Sequence, residues 1–443
     1  MATFLFATQP SMGHLNPMLS IANQMRSAGH EIEFIFSGPK KIGKIIRDND
    51  YPAFNMRPHP SALLFLFLPL LAGYLETFIA LKIFFSGLGH YANGINRKLR
   101  ETGADALVSD FAFPGAGLAA EAVNIPYVII YHAGLGFKGP GIPPFGSGLP
   151  IGKKWGRKGK VYQYFSDLLE NSLAASVSRA RKRLSLPAKE RATFHYLSSP
   201  WLNLVLTAEA GEAPRYELPE TTFFTGPCFD GRQSQRSRDF PFEKLSSDKK
   251  KIYLSLGTFF NKKPGVFRKI ISAFADSPYQ LIVSAGGAFK KLSSQPLPAE
   301  VLLFDRVPQL EVLSQVDAVI SHGGNNTVNE TLSKGKPLLV MPVGGEQGDN
   351  ASRVEYLGAG LRADIKKSTP REICEKVKRL IEEETFNKRA KEVANSLAMT
   401  EGPVTAARFI EHVAEKRRPL VRPAGYPLTV TRENALPWEP GID

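Results

Sequence analysis

Two doubly wound α/β domains joined by a polar linker are what this sequence predicts, on three observations. Short apolar runs rich in β-branched and aromatic residues alternate with helix-period segments in both halves of the chain. Between the halves, residues 228–250 turn polar, charged and weakly periodic. The length of 443 residues suits two units of roughly 200 residues each rather than one core.

The chain opens with TFLFAT (3–8), apolar throughout its middle as buried parallel strands are. A loop, QPSMGHLNP, follows, then the helical pattern MLSIANQMRSAG, ending at Gly29 as a C-cap, then the strand EIEFIFSG (31–38). Strand, glycine-containing turn, helix and strand make a βαβ unit. The pattern returns in a strand at 106–109 ending at Asp110, a helix at 115–122, and a strand at 126–131 ending at His132. Weaker strands follow at 202–206 and 222–225. Residues 1–227 are therefore the first domain and 228–250 the linker.

The second domain, 251–418, starts with KIYLSLGT (251–258). VFRKIISAFADS reads as a helix and YQLIVSAG, VLLFDRV, AVISHGG and PLLVMPV as strands, with NTVNETLSKG a helix closed by Gly335. The Pro-rich residues 419–443 read as a tail, flexible or packed back on the first domain.

Composition excludes several classes. The 38 glycines and 33 prolines carry no repeat period, so a collagen-like or solenoid chain is ruled out. Cys228 and Cys374 stand alone, outside any metal-ligand or CxxC spacing, and read as free thiols of a reducing compartment. The start, MATFLFATQP, lacks a signal-peptide pattern, so a cytoplasmic location is expected. The apolar stretch 62–75 is shorter than the roughly 20 residues of a spanning helix. It can be a buried helix pair kinked at Pro69, the wall of an apolar pocket, or a membrane-dipping loop. The formal net charge of +14 is scattered, with no nucleic-acid-binding signature. It describes a basic surface that attracts anionic substrates or an anionic membrane.

In such sheets ligands bind beyond the carboxyl ends of strands. His14 lies in the first βα loop, where a helix N-terminus lowers an imidazole pKa and favours a neutral base. Asp110 ends a strand of the same sheet and could orient His14, or could merely cap the next helix. Ser255 to Thr258 form a strand-end turn with amides and hydroxyls suited to a phosphate. SHGGNNTVNE (321–330) sets His322, two glycines, Asn325, Asn326 and Thr327 at a helix N-terminus, an anion site that the backbone of Gly324 lets a diphosphate approach. Glu330, one turn in, could accept from ribose hydroxyls. Glu346 and Gln347, after a further strand, could bond vicinal hydroxyls of a sugar. For each of these the alternative is an ordinary capped helix or solvated loop. There is no P-loop, no GxGxxG and no metal-ligand spacing in the sequence.

Taken together, VPQL (307–310), SHGG (321–324), PVGGEQGDNA (342–351) and PSMGHLNP (10–17) resemble the family 1 nucleotide-sugar-dependent glycosyltransferases. The likeness is to the antibiotic, flavonoid and glucuronosyl type with its twin-Rossmann GT-B fold, and it covers nearly the whole chain. It implies an inverting, metal-independent transfer of a hexose from a UDP- or TDP-sugar, with no cofactor. His14 would be the base and Asp110 its support, with Gly13, beside His14 in the acceptor-side loop, among the donor-binding residues. Ser255, Thr258, His322, Gly324, Asn325, Asn326 and Thr327 would surround the diphosphate. Glu330 would hold the ribose, Val307 and Gln309 the base ring, and Glu346 and Gln347 the sugar. The tail would cross back to the first domain. Glu346 stands where many relatives carry Asp, and Val307 where the plant branch carries Trp, which favours a bacterial-type enzyme.

The acceptor expected is a small apolar alcohol, polyketide, terpenoid, carotenoid or lipid-like. Phe65, Phe67, Leu68, Leu71, Tyr74, Phe78, Phe84 and Phe85 suggest a greasy pocket, and 132–150 is expected to line it. Alternatives are a transferase held peripherally at a membrane and acting on a lipid, a sugar-nucleotide epimerase or hydrolase, or a helper protein without activity. The protein is expected as a monomer or homodimer that binds no nucleic acid.

Overall fold

The structure is a computed structural model that describes all residues except 63, 65–73, 133, 189–197, 216–217, 230–239, 258–260, 435 and 439–443. Thr258, Phe65, Phe67, Leu68 and Leu71 thus lie outside the described residues.

The first domain alternates strands and helices in the order β1 (Thr3–Thr8), α1 (Met12–Ser27), β2 (Glu31–Phe36), α2 (Lys40–Arg47), β3 (Ala53–Asn55), α3 (Tyr74–Ser86), α4 (Leu88–Thr102), β4 (Ala106–Asp110), α5 (Ala116–Val123), β5 (Tyr127–Tyr131), α6 (Gly156–Arg183), β6 (Leu202–Val205) and β7 (Thr222–Phe224). Its sheet has seven strands in the order β3-β2-β1-β4-β5-β6-β7. Every pairing in it is parallel. Parallel strands bury both faces under helices, which is why β4 and β5 are buried at every position.

The second domain runs β8 (Lys251–Ser255), α7 (Pro264–Ser272), β9 (Gln280–Ser284), α8 (Phe289–Ser293), β10 (Val301–Phe304), α9 (Gln309–Gln315), β11 (Ala318–Ser321), α10 (Asn325–Ser333), β12 (Leu338–Val340), α11 (Gln347–Tyr356), β13 (Gly360–Arg362), α12 (Pro370–Glu382), α13 (Glu384–Ala398) and α14 (Gly402–Lys416). Its sheet orders six parallel strands as β10-β9-β8-β11-β12-β13. Strands β3 and β13, of three residues each, are additions to the sequence reading.

In both sheets the order in which strands are added reverses near the centre, between β1 and β4 in one and between β8 and β11 in the other. The loops leaving those strand pairs diverge to opposite faces and leave a crevice at the carboxyl edge. His14 and Asp110 stand at the first such point, Ser255 and His322 at the second.

The domain boundary differs from the one read in the sequence. Helix α14 was assigned to the second domain, within 251–418. Its apolar stripe, Ala406, Phe409, Ile410 and Val413, is instead buried in one core with Met18, Ile21 and Met25 of α1. Phe409 packs edge-on against Phe223 of β7, ring centroids 4.9 Å apart. The chain therefore recrosses near residue 400. There Gly402 passes so close to the outgoing strand that a Cβ would lie 2.3 Å from the Pro227 carbonyl oxygen. Beyond α14, Phe224 N–H donates to Leu428 and Val430 N–H donates back to Phe224, so the tail extends the sheet at β7.

Of the greasy segment, α3 packs on α6 and neighbouring helices. Phe85 is buried there, and Phe78, Leu81 and Phe84 lie against the same cluster. Phe78 meets Phe165 of α6 with centroids at 5.3 Å. Among the described residues, no helix is long and apolar enough to cross a membrane. Cys228 and Cys374 are free thiols.

Candidate active site

Strand β1 delivers the chain to Gln9-Pro10-Ser11, and α1 begins at once, which puts His14 in its first turn. Strand β4 pairs beside β1 with Ala7 opposite Ser109, so Asp110 ends level with the same loop. His14 Nδ1 lies 2.6 Å from Asp110 Oδ2. The Asp110 side chain is fully buried, whereas His14 is 28% exposed. Its Nε2 is thereby the nitrogen left to face a ligand.

Asp110 is an acceptor for several groups at once. Backbone N–H groups of Gln9 (3.3 Å to Oδ2) and Ala112 (2.8 Å to Oδ1) donate to it. His132, just past β5, brings Nε2 to 3.2 Å from Oδ1. Its ring stands edge-on to His14 with centroids 4.3 Å apart. Burial opposes the Asp110 charge, but His14 and His132 outweigh it and hold the carboxyl far below the usual carboxylate range.

The sequence reading expected the helix N-terminus to lower the pKa of His14, and the structure corrects this. Burial does push it down, yet the charge and hydrogen bond of Asp110 prevail, with Glu346 adding to them, and the net shift is upward. A full charge at hydrogen-bond distance outweighs the half-charge of a helix end. His132 goes the other way. Burial, aided by the nearby His14, lowers it despite Asp110 and Glu346, so it is neutral at neutral pH. His132 was legible in the sequence only as a strand-end residue and was not among the candidate catalytic groups.

Ligand atoms of His14, Asp110 and His132 lie within 4.8 Å of one another. Two ligands of one tetrahedral zinc ion stand about 3.3 Å apart at ordinary bond lengths. The 2.6 Å contact of His14 with Asp110 is instead a hydrogen-bond distance.

Across the cleft, His322 follows β11 and is buried between two glycines. A Cβ on Gly257 or Gly324 would fall 2.5 Å or 2.7 Å from its ring, so only glycine fits at either place. Burial pushes His322 down to about 4, against a backbone hydrogen bond with Ser255, so its ring is a neutral donor or acceptor. Helix α10 starts at Asn325 with Gly324 as a cap that offers no side chain, which leaves the first N–H groups of the helix for a ligand. Thr327 lies in that first turn.

The side chains of Asn325 and Asn326 differ from the expectation that they surround a diphosphate. Asn326 Nδ2 donates 3.0 Å to the Gly13 carbonyl, and Asn325 Nδ2 donates to the His132 carbonyl. Both cross to the first domain, so only their backbone amides remain for an anion.

Glu330 and Gln309 meet: Gln309 Nε2 donates 2.6 Å to Glu330 Oε2, while its oxygen accepts from Tyr253 OH at 2.9 Å. Val307 packs beside this group against the core. Glu346 caps α11 at the cleft. Gln347 Oε1 accepts from the N–H of Val343 (2.9 Å) and of Gly344 (3.3 Å), which leaves its amide nitrogen for a ligand.

The end of region 132–150 is bonded to the second domain: Asp349 accepts from the N–H of Gly146 (2.5 Å) and Gly148 (2.8 Å), and Ser352 Oγ donates 2.7 Å to the Leu149 carbonyl. Phe137, Ile142, Phe145 and Arg215 line a cavity beneath it.

Two Rossmann-like sheets, with an imidazole–carboxylate pair on one edge and a glycine-flanked helix N-terminus on the other, are the architecture of the GT-B fold. Residues 164–405 match the model of the UDP-glucoronosyl and UDP-glucosyl transferase family, and the chain belongs to that family of sugar-transferring enzymes. It is similar to 4'-demethylrebeccamycin synthase of Lentzea aerocolonigenes, 27% identical over 93% of this chain and 99% of that protein. It is also similar to zeaxanthin glucosyltransferase of Pantoea ananas, 24% identical over 96% and 99%. The crystal structure of CalG4, the calicheamicin glycosyltransferase, shares the fold with a TM-score of 0.72 at 20% identity, over 95% of this chain and all of that one.

Proposed function

We propose that the protein moves a hexose from a UDP- or TDP-sugar to a hydroxyl of a small apolar acceptor, in one inverting displacement with His14 as general base. The observation that carries this is the 2.6 Å bond between His14 Nδ1 and Asp110, which leaves Nε2 directed at the cleft. In the proposed step Nε2 takes the acceptor hydroxyl proton. The acceptor oxygen bonds to the anomeric carbon as the bond to the diphosphate oxygen breaks and the diphosphate leaves with the electron pair. Asp110 stabilises the imidazolium that results. In this reading the N–H groups at the start of α10 and the neutral His322 would stabilise the charge that develops on the leaving diphosphate. Glu330 with Gln309 would take the ribose and base, and Glu346 with Gln347 the sugar. An apolar acceptor is in keeping with relatives named for rebeccamycin and zeaxanthin chemistry.

The test is product chemistry. UDP- and TDP-hexoses with α-linked diphosphate are incubated with a panel of apolar alcohols and phenols, and the anomeric configuration of the product is read by NMR. A β-linked product supports the reading. An α-linked product removes the single-displacement step. Donor loss without an acceptor identifies a hydrolase or epimerase. Tight nucleotide binding without turnover would identify a helper protein.

A second reading, on how the acceptor arrives, is favoured by one surface. Leu75 of α3, Val161, Tyr164 and Leu168 of α6, and Tyr356 of α11 are exposed large apolar side chains. The α3 and α6 helices pack together, and Tyr356 borders Gly152. Lys153, Lys154, Arg157, Lys158 and Lys160 are close in sequence and four of them open the first turn of α6 or directly precede it. Apolar side chains among cations suit peripheral contact with an anionic bilayer. Pelleting with phosphatidylglycerol vesicles at low salt, and release at high salt, is expected. No pelleting at low salt contradicts it.

A further inference from the structure

We propose that His132 is a positioning residue that sets the basicity of His14 through Asp110, and that Asn325 and Arg353 tie it to the helix facing the donor. The proposal rests on the reading of His14 as the base. It goes further by making the state of that base depend on how the two domains are joined.

The geometry begins at the carboxylate. Asp110 faces two imidazoles: His14 Nδ1 is hydrogen-bonded to Oδ2 at 2.6 Å, and His132 Nε2 lies 3.2 Å from Oδ1, at ion-pair distance but out of line for a hydrogen bond. A neutral imidazole beside a buried carboxylate is favoured with its proton on the nearer nitrogen, so that the positive end of the N–H dipole lies toward that charge. His132 thus withdraws part of the charge that Asp110 would otherwise direct wholly at His14. His132 is only 4% exposed, and its edge-on ring limits how His14 can turn.

The same residue is held from the second domain. Its carbonyl accepts from Asn325 Nδ2, at the first position of α10. Asn325 Oδ1 accepts from Arg353 Nη2 of α11 at 2.5 Å. Arg353 Nη1 donates to Glu212 Oε2, back in the first domain, at 3.1 Å. Asn325, Arg353 and Glu212 are all buried. The second-domain pair Asn325–Arg353 is therefore gripped at both ends by the first domain, and one end is the residue beside the dyad. Partners of this kind, behind the reacting groups, orient and tune them.

The titratable groups facing His14 and His132 are each other, Asp110, and Glu346 from α11. Without the His132 ring beside it, Asp110 acts more strongly on His14. The imidazolium is favoured, and His14 loses its proton at a higher pH.

The experiment is the pH dependence of kcat/KM for the native protein, His132→Phe, His132→Gln and Asn325→Ala, with the His14 ring titrated by NMR in each. His132→Phe keeps an aromatic ring without a donor. It should move the acid limb of kcat/KM and the His14 titration together to higher pH, by about half a pH unit or more. His132→Gln, which retains an N–H donor, should stay near the native limb. Asn325→Ala should move both in the same direction by less. Variants that lose activity equally at every pH, with the His14 titration in place, would overturn the proposal and leave His132 a packing residue. Failure of the base reading looks different: the acid limb would then not follow the His14 titration even in the native protein.

Discussion

His14 and Asp110, 96 residues apart in the chain, form a 2.6 Å hydrogen bond at the reversal point of the first sheet. The bond is built by strand register: β1 and β4 are neighbours, and each ends at the residue or loop that carries one partner. Removing either side should be felt in kcat more than in donor binding. His14→Ala and Asp110→Asn are expected to lower kcat by a factor on the order of 10² to 10⁴. Donor affinity, measured by calorimetry, should stay within a few-fold of native.

The raised pKa of His14 has a direction that kinetics can read. Burial lowers it, but Asp110 more than compensates, so the base loses its proton above the ordinary value of 6.5. The acid limb of kcat/KM should therefore have its midpoint above pH 6.5. In Asp110→Asn the raising charge is gone and the residual limb should move to lower pH. A native limb well below 6.5 would contradict the assignment.

Gly257 and Gly324 enclose His322 so tightly that a methyl group on either would meet its ring. Gly324→Ala should displace that ring and weaken donor binding at least tenfold, with stability lowered by about 1 to 3 kcal/mol. Gly257→Ala should be worse, since its φ of +68° also disfavours a side chain. Donor titration and thermal melting check both.

Glu330 is bonded to Gln309, which is bonded in turn to Tyr253. Glu330→Ala should raise donor KM about tenfold or more and change kcat little, because the lost contact is made equally before and during transfer. A fall in kcat with unchanged KM would place Glu330 in the chemistry instead.

At the seam between the domains, burial pushes Asp349 up to about 6 from 3.8, against the pull of the Gly146 and Gly148 N–H groups. A carboxyl that ionises later in the folded chain holds more protons than the unfolded chain between those two values. Its contribution is present below pH 3.8 and is lost as pH rises through about 6, by at most ~3 kcal/mol. The apparent Tm should therefore fall between about pH 4 and 6 and level off above, and Asp349→Asn should flatten that part of the profile.

Much of this architecture is legible in the sequence, because fully buried parallel strands leave unbroken apolar runs and the ligand-facing loops must follow them. Strands β3 and β13 escaped because their sequences, AFN and GLR, form no apolar run of the kind that marks β7 and β12. Helix α14 was placed in the wrong domain for a similar reason. Its stripe of Ala406, Phe409, Ile410 and Val413 says that it packs but not against which sheet. At the site, residue types and spacing bring out His14, Asp110, His322 and Glu330 one at a time. They cannot show that Asn325 and Asn326 turn their side chains across the cleft, nor that His132 shares Asp110. Those facts depend on where two loops from different strands, or different domains, come to rest.

The most direct measurement is nucleotide release from UDP- and TDP-hexoses by the native protein and His14→Ala side by side, each with and without an apolar alcohol. Release that needs the acceptor, yields a glycosylated product and collapses in His14→Ala is the predicted result. Acceptor-dependent release that persists in His14→Ala at the native rate would contradict the assignment of His14 as the base.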